Sequence, residues 1–255
     1  MIPTTSPVSE PDAVLARAAE VLRPAGAFAR LDAVAGWLGR WQRTDRPAVQ
    51  RPAAVVFVAD HGVTVEGVSA YPLRVTAEML RALREGAATA SVLARLAGAS
   101  LDVVDVGVGR PTGNLAVEPA LDRARFDEAW VAGRDAVAAL DADLLVLGEM
   151  GIGNTTAAAA VAAALFGGPA CGWVGRGTGV DDAALATKTA VVGRAVARID
   201  GVTDPMEVLR EVGGAELVAI AGAAAEARNR SMPILLDGFV VTAAVAALGV
   251  GCPGA

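Results

Sequence analysis

Glu149 places a carboxylate inside the stretch Gly148-Glu149-Met150-Gly151-Ile152-Gly153-Asn154-Thr155-Thr156, whose other residues suit an anion. The stretch follows the apolar run Leu144 to Leu147 and precedes an alanine-rich helical segment. Glycines let a backbone bend tightly and come close to a ligand. A helix start adds unpaired N–H groups and the positive end of a dipole, so a strand-to-helix loop of this composition favours a phosphate. Asn154, Thr155 and Thr156 are candidate caps for that helix. Nothing about folding requires an acid at 149, which makes its carboxylate the first candidate for chemistry.

A second glycine-rich segment, Gly172-Trp173-Val174-Gly175-Arg176-Gly177-Thr178-Gly179, leads through Asp181-Asp182 into a helix carrying Lys188. Arg176 and Lys188 would bring a phosphate the charge that backbone amides lack. On spacing alone the segment reads more simply as a flexible surface loop, since glycine-rich loops without a recognised signature are common. His61 is the only histidine and follows Asp60 at the end of an apolar strand. It could carry a proton or orient a catalytic group. The plainer reading is favoured: a hydrogen bond to neighbouring backbone that fixes a turn, with no second ligand to suggest a metal. Asp60 and Asp237 read in the same way, as helix caps or loop ties.

These residues need elements to hold them. Residues 1 to 50 are helical in pattern, with Pro11 near a helix start and a break at Pro24-Ala25-Gly26 before the stripe Leu31, Val34, Trp37, Leu38, Trp41, which reads as core or lobe packing. Short strands of buried type are expected at Val55 to Ala59, Leu101 to Val106, Leu144 to Leu147 and Ile234 to Leu236, most of them followed by helical segments. Alternating strand and helix imply a parallel sheet, in which ligands sit beyond the carboxyl ends of the strands. Those ends carry Asp60-His61-Gly62, Gly107-Val108-Gly109, Gly148-Glu149 and Asp237-Gly238.

Composition bounds the function. A chain of 255 residues with 54% hydrophobic content can bury a large core in one sizeable domain, or in one domain with a small lobe. Aromatic residues are only 4%, which disfavours nucleic-acid binding by base stacking. A net charge of −6 and a pI near 4.9 oppose broad contact with a phosphate backbone, while a single phosphate pocket needs only local donors. Cys171 and Cys252 have neither metal-ligand nor disulfide-framework spacing, so a reducing cytoplasm is the default compartment. The amino terminus lacks a basic start followed by an apolar core, and apolar segments such as Thr155 to Gly167 are too short to cross a bilayer.

Several blocks, taken together and in order, resemble one family. Ala59-Asp60-His61-Gly62-Val63, continuing through Glu66-Gly67-Val68-Ser69-Ala70-Tyr71-Pro72 and Val75-Thr76, is similar to the early signature of the nicotinate-nucleotide–dimethylbenzimidazole phosphoribosyltransferases. Gly148 to Thr156, Gly175 to Gly179 with Lys188, Val212-Gly213-Gly214-Ala215-Glu216-Leu217 and Leu235-Leu236-Asp237-Gly238-Phe239 follow in the family's order. Arg23-Pro24-Ala25-Gly26 with Arg30-Leu31-Asp32 resembles its amino-terminal lysine-proline-glycine motif, with substitutions. Separate motifs in one order are far more specific than a single loop.

The resemblance implies a three-layer Rossmann-like α/β domain with a parallel sheet over residues 51–255, carboxyl-terminally incomplete. It implies also a small helical lobe begun by residues 1–50, whose carboxyl-terminal part is missing. It implies phosphoribosyl transfer from nicotinate mononucleotide to 5,6-dimethylbenzimidazole in assembling the lower ligand of cobalamin, with no cofactor and no metal, by a cytoplasmic homodimer that binds neither nucleic acid nor membrane. Position by position, Glu149 matches a glutamate at the base; Tyr71, Met79 and Met150 match the acceptor side, and Ser69 matches a substrate-binding position. Gly175, Arg176, Gly177 and Lys188 match the phosphate side, and Gly151, Asn154, Thr155 and Thr156 match either the ribose phosphate or the helix entry. Asp60, His61 and Asp237 match supporting positions. Family members continue into a glycine-glutamate-glycine-serine-glycine motif whose glutamate is taken as the principal base, and no such motif occurs in this sequence. The alternative expectation is therefore a nucleotide-binding paralogue or subunit that needs a partner chain for that base.

Overall fold

The computed structural model describes residues 13–24 and 26–251, so the helix start expected at Pro11 and Cys252 lie outside the described residues. The elements run α1 (Ala13–Glu20), α2 (Ala29–Gln42), β1 (Pro52–Ala59), α3 (Val75–Arg84), α4 (Thr89–Leu96), β2 (Ser100–Gly107), α5 (Arg123–Ala138) and β3 (Leu144–Met150). They continue with α6 (Asn154–Phe166), α7 (Asp182–Arg198), α8 (Pro205–Val212), α9 (Ala215–Asn229), β4 (Ile234–Leu236) and α10 (Phe239–Gly251). The four strands form one parallel sheet in the order β2-β1-β3-β4. From β1 the chain steps to one side for β2, then crosses back to lay β3 on the other flank of β1. The order thus reverses between β1 and β3, where a crevice opens at the carboxyl ends of an open α/β sheet.

Side-chain alternation sorts the strands onto two cores. Val55, Phe57 and Ala59 of β1, with Leu145 and Leu147 of β3, join the larger core together with α5, α9 and α10. Val56 and Val58 point the other way, onto Leu80 and Leu83 of α3. Helices therefore cover both faces, giving the expected three layers. By the same alternation Glu149 lies on the α9 side and Met150 on the α3 side, where Met150 and Met79 pack against the same small cluster.

Alanine and glycine abundance reflects close helix contact. Every residue from Ala157 to Ala163 of α6 is buried, where α6 packs against α7, α8 and α10. At the crossing of α5 and α9, a Cβ added to Gly133 would lie 1.9 Å from the Ala219 carbonyl oxygen, and one added to Gly222 would lie 2.4 Å from that of Trp130. The helices approach as closely as backbones allow, which small residues permit and large ones would prevent.

At the amino-terminal end α1 packs on α2. Arg23 clamps the turn between them, donating to both carboxylate oxygens of Asp32 at 2.9 and 2.6 Å and covering the Phe28 ring at 5.6 Å. The apolar stripe of α2 is only partly packed: Leu38 is 8% exposed, whereas Leu31 is 64% and Val34 47% exposed. The core-packing expectation thus holds for the second half of the stripe and fails for the first. The chain enters β1 through Gln50 and Arg51, whose N–H groups donate to the Asp143 carboxylate at 2.9 to 3.0 Å. Among the described residues no helix is long and apolar enough to cross a membrane.

Candidate functional site

β3 runs on to Met150, so Glu149 sits on the strand end itself, not in the loop beyond it. Parallel pairing sets Glu149 opposite Phe57 and Met150 opposite Val58, which brings both to the crevice between β1 and β3. The turn that follows is tied down by Ile152 N–H, which donates to Thr76 Oγ1 at 3.2 Å. Gly151 is hemmed in: an added Cβ would stand 2.7 Å from the Ala59 carbonyl and 3.2 Å from both Glu216 Oε1 and His61 Cδ2. Gly153 takes φ 96°, a left-handed conformation, and itself occupies the cap of α6 with no side-chain cap bond.

The side-chain caps expected from Asn154, Thr155 and Thr156 are therefore not made, because those residues already lie inside the helix. The Asn154 amide donates to Glu149 Oε2. The Thr155 hydroxyl accepts from Lys188 Nζ at 2.7 Å. Thr156 is fully buried, and its hydroxyl has no partner among the described residues.

The two glycine loops meet at Lys188. Its ammonium also donates to the Gly175 carbonyl at 3.2 Å. An added Cβ on Gly177 would lie 3.2 Å from Thr155 Oγ1 and 3.4 Å from Lys188 Nζ, so the second loop closes directly over that contact. Lys188 is only 2% exposed, and burial lowers its pKa. Both its acceptors are neutral, and among the described residues no carboxylate lies within ion-pair reach. A buried ammonium held by neutral acceptors is short of negative charge, which a phosphate would supply. Arg176, on the same loop, donates from its guanidinium to the Val180 carbonyl at 3.0 Å and pairs with Asp182 at the start of α7. A flexible arginine finds its nearest carboxylate and carbonyl six and four residues ahead.

On the other side of Glu149, the His61 ring does not make the expected bond to neighbouring backbone. Its Nε2 lies 2.5 Å from Glu216 Oε1, both side chains are wholly buried, and the partner is a helix carboxylate, not adjacent backbone. Burial alone would lower the His61 pKa, but the Glu216 charge and hydrogen bond, together with the charges of Glu149 and Asp60, raise it on balance. Burial and then the Glu216 charge push Glu149 up to about 7, against the opposing hydrogen bond from Asn154 and the charge of His61. A carboxyl group poised there exchanges a proton readily at neutral pH.

Asp60 does tie loops: its Oδ2 accepts from Gly109 N–H at 2.8 Å and its carbonyl from Thr112 N–H at 3.1 Å. Asp237 does not, being exposed with no hydrogen bond to its carboxylate among the described residues, because β4 ends too early to carry it under a neighbouring loop. Ser69 Oγ accepts from Tyr71 N–H at 3.2 Å, and the half-exposed Tyr71 ring stands free of the core. Glu216 and Gly214 went unassigned in the sequence. The available signal was two glycines followed by an acid at a helix start, since a Cβ on Gly214 would come within 2.3 Å of His61 Cε1.

A parallel sheet with a buried carboxyl at its switch point and a buried ammonium beneath glycine loops defines an α/β protein whose strand-end site suits an anionic ligand. A family model described as phosphoribosyltransferase matches residues 7–255. A nicotinate-nucleotide–dimethylbenzimidazole phosphoribosyltransferase of Cereibacter sphaeroides is 47% identical over 245 residues, covering 96% of this chain and 72% of that protein. One of Mesorhizobium japonicum is 48% identical, covering 92% of this chain and 70% of that protein. The crystal structure of CobT from Thermus thermophilus superposes with a TM-score of 0.90 at 42% identity, covering 95% of this chain and 78% of that one. The chain belongs to the nicotinate-nucleotide–dimethylbenzimidazole phosphoribosyltransferase family.

Proposed function

We propose that this chain transfers the phosphoribosyl group of nicotinate mononucleotide to 5,6-dimethylbenzimidazole, giving α-ribazole 5′-phosphate and nicotinate in the biosynthesis of cobalamin. Beside family membership, one observation supports the reading: Glu149 and the Lys188 ammonium flank the same glycine turn, joined through the adjacent residues Asn154 and Thr155. In the donor, the pyridine nitrogen is cationic. It leaves as a neutral ring nitrogen with the bonding pair, while a benzimidazole nitrogen forms the new bond to the anomeric carbon. The proton on the other benzimidazole nitrogen then passes to Glu149. Base assistance of this kind is worth roughly 10²–10⁴-fold, so holding the two substrates in line must provide much of the remaining acceleration.

In this reading Lys188, Thr155, Gly175 and Gly177 hold the phosphate. Ser69, Tyr71, Met79 and Met150 line the acceptor side, and Gly151, Asn154 and Thr156 shape the turn between. The protein works as a homodimer in the cytoplasm, with residues 1–50 contributing to a helical lobe and residues 51–255 forming the catalytic domain. The test is incubation of the purified protein with both substrates and chromatography of the products. Equal amounts of nicotinate and α-ribazole 5′-phosphate are expected. Folded protein that binds nicotinate mononucleotide in calorimetry without forming product would instead identify a nucleotide-binding subunit.

A further inference from the structure

The reading of Glu149 as the base leaves two buried charged groups next to it without a task. His61 arrives from the turn after β1 and Glu216 from the first turn of α9, and they meet at 2.5 Å in the interior. Glycines at 151 and 214 close around them with no space for a side chain, so the backbone is shaped to admit this pair. A pair that served packing alone would have its remaining polar atoms satisfied, yet His61 Nδ1 and Glu216 Oε2 are buried without partners among the described residues. Replacing such a pair with apolar side chains is often neutral or stabilising, so its presence is weak evidence for a stabilising role.

We infer that His61 and Glu216 are positioning residues for Glu149: an imidazolium–carboxylate pair behind the end of β3, on the same side of the sheet, whose charge governs proton acceptance by the base without meeting substrate. The groups facing Glu149 are His61 and, through it, Asp60 from the end of β1, Glu216 from α9, and the uncharged Asn154 amide from α6. Glu216 opposes ionisation of Glu149, while His61 favours it less strongly, so the pair leaves a net push toward a proton-hungry base. The Glu216 charge and hydrogen bond favour the protonated form of His61. As the new glycosidic bond forms, the benzimidazole proton has a carboxylate ready to take it, and no other reactant is needed.

Because His61 is the only histidine, its imidazole gives a single assignable signal in nitrogen-15 histidine NMR. Coupling between two titrating groups is reciprocal. The wild-type imidazole is expected to stay protonated at neutral pH, and Glu149→Gln to lower its midpoint; identical titration in wild type and Glu149→Gln, or a neutral His61 at pH 7, would overturn the inference. Glu216→Gln should shift the acid limb of the kcat/KM profile to lower pH by about tenfold or more in proton concentration, with KM for nicotinate mononucleotide little changed. An unshifted limb in a folded Glu216→Gln protein would equally overturn it. Should that variant not fold, the wild-type and Glu149→Gln spectra decide alone. NMR coupling in a protein without turnover would refute the transferase reading and leave the coupling standing.

Discussion

Replacing Glu149 by glutamine keeps the shape and most of the hydrogen bonding of the side chain while removing its charge and its ability to accept a proton. Turnover should fall by about 10²–10⁴-fold, with the affinity for nicotinate mononucleotide, read by calorimetry, within a few-fold of wild type. Unchanged turnover would remove Glu149 from the chemistry. Since the folded carboxyl titrates at about 7, wild-type activity should rise with pH through that value. The sign for stability runs the opposite way. Between the ordinary glutamate value and about 7 the folded chain holds a proton that the unfolded chain has lost, so stability falls as pH rises through this window. Glu149→Gln should therefore be the more stable protein at pH 8, by on the order of 1–3 kcal/mol, and little different at pH 4. Lys188→Ala should weaken donor binding by roughly ten- to a hundredfold, the cost of one charged hydrogen bond, and calorimetry would show it. The place of Glu149 beside the glycine turn was legible because the apolar run Leu144 to Leu147 marks the strand that leads to it. His61 was not, because its partner lies 155 residues further along the chain and no local pattern announces it.

At the scale of elements, the apolar runs revealed all four strands, since a strand covered on both faces needs hydrophobic side chains on both. Their ends were harder to read. β3 continues through Gly148 and Glu149, residues that local propensity assigns to a loop, because pairing with β1 supplies hydrogen bonds that propensity does not count. The cap of α6 was misread for a related reason: Gly153 can adopt the left-handed turn, which frees Asn154 and Thr155 to reach Glu149 and Lys188. Glycine also sets the distance between α5 and α9. Gly133→Ala would drive a methyl group into the Ala219 carbonyl, a rigid backbone atom that cannot swing aside. Overpacking of this kind costs about 1–3 kcal/mol, so thermal unfolding should show a clear drop in Tm. Gly193→Ala on α7, where an added Cβ meets nothing, should be neutral or slightly stabilising. Equal melting of both variants would mean that the α5–α9 crossing relaxes freely.

For the whole molecule, the reversal of strand order explains why loops from distant parts of the sequence converge on one rim, and alternating strand and helix was enough to place that rim in advance. The same pattern could not say what covers α1 and α2. Leu31 and Val34 of α2, with Leu22 and Phe28 in the segment that precedes it, are exposed apolar side chains available for burial. Burying them against a second copy would remove them from water and make the measured stability depend on protein concentration. The proposed homodimer thus has a concrete signature. Sedimentation should return twice the chain mass at micromolar concentration, and Tm should rise as the protein is concentrated. Replacing Leu31 and Val34 together by serine should shift the protein toward monomer if this face is the contact, while leaving the sheet and the Lys188–Thr155 contact intact, since neither residue belongs to the core. A wild-type protein that sediments as a monomer across that range would exclude the dimer. A dimer indifferent to the double substitution would move the contact to another face.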